Sequence, residues 1–143
     1  MPIARTWSGA TRAAEADEYL RYLRRTGFKD YAETPGNEGI VCLRRLEGGY
    51  AEFTIVTLWE DHRAIERFAG PDAGRAVFYP EDDTFLARAD DLVGHHDIVF
   101  STLPAPRKRP LARLVAWWAG RAAAAVPAPR THERAGVVVS SRD

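Results

Sequence analysis

The sequence predicts an α+β domain of ferredoxin-like split β-α-β-β-α-β layout, with a four-stranded antiparallel sheet that carries helices on one face. Three observations predict it. Residues 50–79 begin as a strand rich in β-branched and aromatic side chains (Phe53, Thr54, Ile55, Val56, Thr57, Trp59) and continue directly into an amphipathic helix. A strand followed by a helix also stands upstream, in residues 3–25. Between these units, Glu47-Gly48-Gly49 reads as a tight turn joining two strands.

Taken in order, Ile3, Arg5 and Trp7 alternate with Ala4, Thr6 and Ser8, the pattern of a half-buried strand that Gly9 ends. Thr11 is the expected N-cap of a helix reaching Arg25, with Ala16, Tyr19, Leu20 and Leu23 inward and Gly27 at its end. Residues 29–37 read as a loop punctuated by Pro35-Gly36, residues 39–46 as the second strand. In the third strand Ala51, Phe53, Ile55, Thr57 and Trp59 share one face, and Glu52, Thr54, Val56 and Leu58 the other. Glu60-Asp61 supplies an N-cap and first-turn charge for a helix presenting Ala64, Ile65, Phe68 and Ala69, which Gly70-Pro71 stops. Asp72 is expected to cap a short helical turn holding Ala76 and Val77. Pro80 then opens another helix, with Glu81, Asp82 and Asp83 in its first turn and Phe85 and Leu86 inward. Residues 92–101 form the expected fourth strand.

Helices can cover only one face of this sheet, yet the third strand is apolar on both. Pairing two such faces in a symmetric homodimer would bury the second. The composition, 45% apolar and 10% aromatic, suits a globular core. Cys42 is the one cysteine, so no disulfide framework or cysteine metal site is expected, and a reducing, cytoplasmic compartment follows as the default. No secretory leader pattern and no membrane-spanning apolar run stand out.

The net charge of zero conceals an asymmetry. Residues 1–102 hold 12 Lys and Arg against 18 Asp and Glu, and residues 103–143 hold 8 against 2. The division at 102/103 separates an acidic body domain from a basic tail rich in Pro, Arg and Ala. The tail's Leu111, Leu114, Val115, Trp118 and Ala122 recur at helical spacing, which predicts one amphipathic helix over about residues 111–126. Docking on the acidic body, or a loosely ordered extension, ranks ahead of contact with a membrane surface, and nucleic acid is not an expected partner.

The segments ARTWSG, EYLRYLRRTGFKDYAETPGNEG, AEFTIVTLWEDHRAIERFAG and FYPEDDTFL resemble the antibiotic biosynthesis monooxygenase (ABM) domain family over roughly residues 2–100. The resemblance implies a dimeric α+β barrel and a small-molecule substrate or ligand. It also implies a role as a cofactor-independent monooxygenase, needing neither metal nor flavin, that acts on a phenolic, polyketide-like or other aromatic ring. A non-catalytic ligand-binding or interaction module on the same scaffold is the alternative. The heme-degrading branch uses an Asn on the first strand, a Trp on the second helix and a His about three turns later. Here those positions carry Arg5, Thr6 or Trp7, then Phe68, then Phe78 or Tyr79, so heme degradation is not expected.

The residues themselves offer a short set of candidates. Tyr79, before Pro80 at a helix break, could turn its phenol into a cavity, or be a half-buried tyrosine reaching solvent. His95 and His96 are neighbours on one strand and face opposite sides, so they cannot chelate one metal together; His95 is the candidate base, with a satisfied structural histidine as the alternative. Arg5 could hold an oxyanion and Trp7 stack on a ring; the alternatives are an Arg5–Glu52 pair and a core Trp7. Trp59, Phe68 and Phe78 complete the substrate-binding candidates, although Trp59 also reads as packing between sheet and helix. The run Glu81-Asp82-Asp83 is explained by a helix start without a cation. Cavity volume separates the two functional readings, because an enzyme pocket needs about 300 Å³ or more.

Overall fold

Strands β1 (Ile3–Arg12) and β3 (Tyr50–Trp59) pair antiparallel at the centre of the sheet in the computed structural model, which describes residues 1–104. Ile3 stands opposite Trp59, Arg5 opposite Thr57 and Trp7 opposite Ile55, so one face collects the buried side chains of both strands. Strand β2 (Asn37–Glu47) joins β3 through Gly48 and Gly49, both at positive φ (57° and 80°). A two-residue turn with both residues in that region matches the twist of the flanking strands, and only glycine adopts it without strain.

The helices cover the buried face. The first, α1 (Ala16–Arg25), turns Ala16, Tyr19, Tyr22 and Leu23 inward, with Arg24 and Arg25 in its last turn, where cations offset the helix dipole. Helix α3 (His62–Ala69) follows β3 directly: the Asp61 carboxylate accepts the Ala64 N–H at 2.9 Å, and Gly70 at φ 81° ends it. Ala64, Ile65 and Phe68 pack against Phe53, Ile55 and Trp59 in one core cluster.

Five expectations are corrected. Thr11 is fully buried within β1, opposite Ala51, and caps nothing; a 3₁₀ turn at Ala13–Glu15 leads into α1 instead. The extension of β1 past Gly9 follows from its partners, because β3 reaches back to Tyr50 and its N–H and C=O groups need a ladder. The segment read as a loop opens with a second helix, α2 (Gly27–Glu33), which starts two residues after α1 ends and buries Tyr31. Asp72 caps no helix: its carboxylate binds Arg75 Nε at 2.8 Å, and residues 76–79 run without helix or strand. The fourth strand position is filled twice, by β4 (Leu86–Ala89) after the one-turn helix α4 (Asp82–Phe85), and by β5 (Gly94–Asp97). Both pair antiparallel with β1, β4 against its C-terminal half and β5 against its N-terminal half. Leu92 and residues 98–101 lie outside these strands.

The order across the sheet is therefore β2-β3-β1-β4, with β5 also on β1, which is the ferredoxin-like order. The uncovered face presents Val41, Leu43, Val56 and Leu58, with Val41 and Leu43 exposed. At its rim Glu52 accepts from both Arg45 (2.7 Å) and Arg88 (2.6 Å). No helix among the described residues is long and apolar enough to cross a membrane. The basic tail and its expected helix at 111–126 lie outside the described residues.

Candidate functional site: a buried arginine beside a small cavity

The period-two alternation of β1 sends Arg5 to the helix-covered face, where a charged side chain is unusual. It is 2% exposed, and among the described residues it forms no ion pair. Its Nη2 donates to the Arg75 carbonyl at 2.8 Å, its guanidinium carbon lies 5.7 Å from the centre of the Phe68 ring, and its Nε has no partner. Burial lowers its pKa, and the adjacent Tyr31 phenol opposes that effect. The expected Arg5–Glu52 alternative is not formed, because Glu52 projects from the opposite face.

Arg5 lines a cavity of about 30 Å³ between the sheet and the helices. Trp7 and Ile55 also rise from the sheet, Tyr19 and Tyr31 descend from α1 and α2, and residues 76–79 line its remaining side. The volume suits one water molecule and is far below that of an aromatic ring in its pocket. Trp7 is held in place from two sides: its Nε1 donates to the Asp90 carbonyl at 2.8 Å, and its ring crosses Gly9 so closely that a Cβ there would lie 2.3 Å from it. Phe78 meets Trp7 edge-on with centroids 6.4 Å apart, and the Tyr79 phenol donates to Asp30 Oδ2 at 2.6 Å.

Of the sequence candidates, the structure brings Arg5, Trp7, Phe78 and Tyr79 to this cavity. His95 stands directly opposite Arg5 in the β1–β5 ladder and on the same face, but it is not among the cavity-lining residues. Its ring meets His62 edge-on at 5.4 Å, and burial first, then Arg5, His62 and His96, lower its pKa. His96 takes the other face, 3.3 Å from the Thr6 hydroxyl. Trp59 and Phe68 belong to the core beside the site: Trp59 Nε1 donates to Thr57 Oγ1, and both rings pack on Tyr31.

Sequence reasoning missed Tyr31 and Asp82. Asp82 is 4% exposed and lines the cavity; its Oδ2 accepts the Tyr79 N–H at 2.6 Å, while Oδ1 is buried and has no hydrogen-bond partner among the described residues. Burial, against the pull of that N–H and aided by Asp83, raises its pKa to about 6. The signal available in the sequence was the acidic run at 81–83, which a helix start already explains. Elsewhere, a depression of about 360 Å³ beside Arg12, Glu15 and residues 84–87 lies open at the surface and has no buried polar group. Among the described residues no group of three or more His, Cys, Asp or Glu is placed to hold a metal ion.

The fold is shared with solved proteins of low sequence identity. A candidate antibiotic biosynthesis monooxygenase from Bacillus cereus superposes with a TM-score of 0.51 at 14% identity, over 75% of this chain and 100% of that one. SnoaB, a cofactor-independent oxygenase from Streptomyces nogalater, gives 0.50 at 17% identity over 73% and 100%. A NIPSNAP-like domain protein from Burkholderia xenovorans gives 0.51 at 17% over 77% and 97%. No family model and no curated protein sequence matches the chain. The described residues have the antibiotic biosynthesis monooxygenase fold.

Proposed function

We propose that the protein takes a small acidic aromatic molecule, a phenol or its polyketide-like equivalent, between the sheet and the helices, and oxidises it with dioxygen without a resident cofactor. One observation carries the reading: a buried guanidinium with no ion-pair partner among the described residues, lining a small cavity that Trp7, Tyr19, Tyr31 and Phe78 also wall. Such a charge is costly to bury alone, and a ligand oxyanion supplies the missing partner. Trp7 and Phe78 offer faces and edges for a ring.

In this reaction the substrate provides all the electrons. A ring methylene loses a proton, the carbanion reduces dioxygen, one oxygen atom remains on carbon as a carbonyl and the other leaves as water. The chain's part is to bind the ring, hold the oxyanion at Arg5 and exclude water. For a ring to enter, residues 76–79 must move away from α2, because about 30 Å³ does not admit it. That small volume is also what favours the second reading, a ligand-binding or interaction module with no reaction.

The protein is further proposed to be a homodimer paired through the apolar face of Val41, Leu43, Val56 and Leu58, and cytoplasmic, as its single cysteine suggests. Dioxygen uptake by the full chain, screened against phenols, anthrones and quinols, tests the enzymatic reading. Uptake dependent on Arg5 is expected; ring binding without uptake would favour the module.

A further inference from the structure

We propose that Asp82 is the proton acceptor of this site: its partnerless Oδ1 takes the acidic proton of the bound ring while Arg5 receives the negative charge left on the ring's oxygen. The assignment rests on the small-molecule reading above. It stands first on geometry. Among the described residues Asp82 contributes the cavity's only carboxylate, and no histidine lines it. One oxygen is occupied by the Tyr79 N–H, which fixes the side chain's orientation. The other is buried and has no hydrogen-bond partner among the described residues, the state a base needs before its substrate arrives.

The neighbours fit the role. Tyr19 and Tyr22 on α1 and Tyr31 on α2 all have raised pKa values, chiefly from burial, with Asp82 contributing to each; they remain protonated and cannot serve as the base. Asp83, next in the chain, pushes Asp82 in the same direction as burial does. Arg5 on β1 lines the same cavity. The Tyr79 phenol already donates its proton to Asp30. A carboxylate held at about 6 is ionised at neutral pH yet far more basic than an exposed aspartate, which suits proton abstraction there.

The step balances without an oxidant. An O–H or activated C–H bond of the ligand breaks, an O–H bond forms at Asp82 Oδ1, and the electron pair stays on the ligand, delocalised onto the oxygen facing Arg5. Removal of one negative charge from Asp82 and its appearance on the ring leaves the net charge of the site unchanged.

The test uses the full chain with 4-nitrophenol, whose phenolate absorbs in the visible, and with anthrone. On binding 4-nitrophenol, the wild-type protein is expected to show bound phenolate together with a new infrared band from a protonated carboxyl group. Asp82→Asn keeps an acceptor for the Tyr79 N–H, so it should bind the probe but lose the band. Dioxygen consumption with anthrone should fall about 100-fold or more in that variant. Equal bound phenolate in both proteins, or a wild-type complex without the carboxyl band, overturns the assignment and leaves the binding site standing. Failure of the wild-type protein to bind either probe overturns both. If Asp82→Asn does not fold, the wild-type infrared measurement decides alone.

Discussion

The Tyr79 phenol donates a 2.6 Å hydrogen bond to Asp30 Oδ2, and so ties the segment lining the cavity to α2. Its backbone N–H is bound in turn by Asp82, so one residue links that segment to both acidic groups. Tyr79→Phe removes the phenolic bond to Asp30. A hydrogen bond to a carboxylate at a partly exposed site contributes about 1–2 kcal/mol. Hydrogen exchange of residues 76–79 should accelerate by about tenfold, with the rates of β1 and β3 changing little. Unaltered exchange in that segment would show that the bond does not hold it in place.

Asp82 makes stability depend on pH in a sense opposite to most aspartates. Its folded value of about 6 lies above the ordinary 3.8, so the folded state binds the proton more tightly than the unfolded one. The stabilisation is complete below about pH 4 and is lost as pH rises through about 6, at a cost of about 3 kcal/mol. Asp82→Asn should therefore melt at a higher temperature than wild type at pH 8 and at nearly the same temperature at pH 4. Melting curves across that range check it; a variant less stable at pH 8 would mean that Asp82 is held as a favourable charge.

Trp7 owes its position to the missing side chain at Gly9. A Cβ there would meet the Trp7 ring at 2.3 and 2.8 Å, far inside van der Waals contact. Gly9→Ala should force the indole off the Asp90 carbonyl and destabilise the fold by about 1–3 kcal/mol. Denaturant unfolding measures the loss, and ring-probe binding should weaken with it. A neutral Gly9→Ala would mean that the indole has room to retreat.

The uncovered sheet face makes a prediction about mass. Leu43 is 54% exposed on it, beside Val41, so Leu43→Asp should leave the fold intact while charging the proposed contact. Light scattering at micromolar concentration is expected to give twice the monomer mass for wild type and the monomer mass for Leu43→Asp. A monomeric wild-type protein would contradict the dimer.

The strands were legible because alternation survives burial: the faces read for β3 are the faces observed, and the glycine pair at 48 and 49 marks its turn. Thr11 misled because a polar residue after Gly9 looks like a cap, whereas the ladder to β3 continues through it. Helix α2 was hidden by Gly27, a residue that ends helices more often than it begins them. Residues 86–97 form two short strands because each half of β1 is a separate partner, a fact no local pattern holds. The site divided in the same way. Strand parity placed Arg5 and Trp7 on one face, but the burial of Asp82 depends on where α1 and α2 set their tyrosines, which is tertiary.

The central claim, that Arg5 awaits an anionic ring, is tested most directly by calorimetric titration of the full chain and of Arg5→Met with 4-nitrophenol, with amide chemical shifts followed alongside. The wild-type protein is predicted to bind, with shifts concentrated at Tyr31, residues 76–79 and Asp82, and Arg5→Met to bind at least about tenfold more weakly, as expected for a lost charge-assisted contact. Equal binding by both proteins, or wild-type shifts confined to the outer face of the sheet, would contradict it.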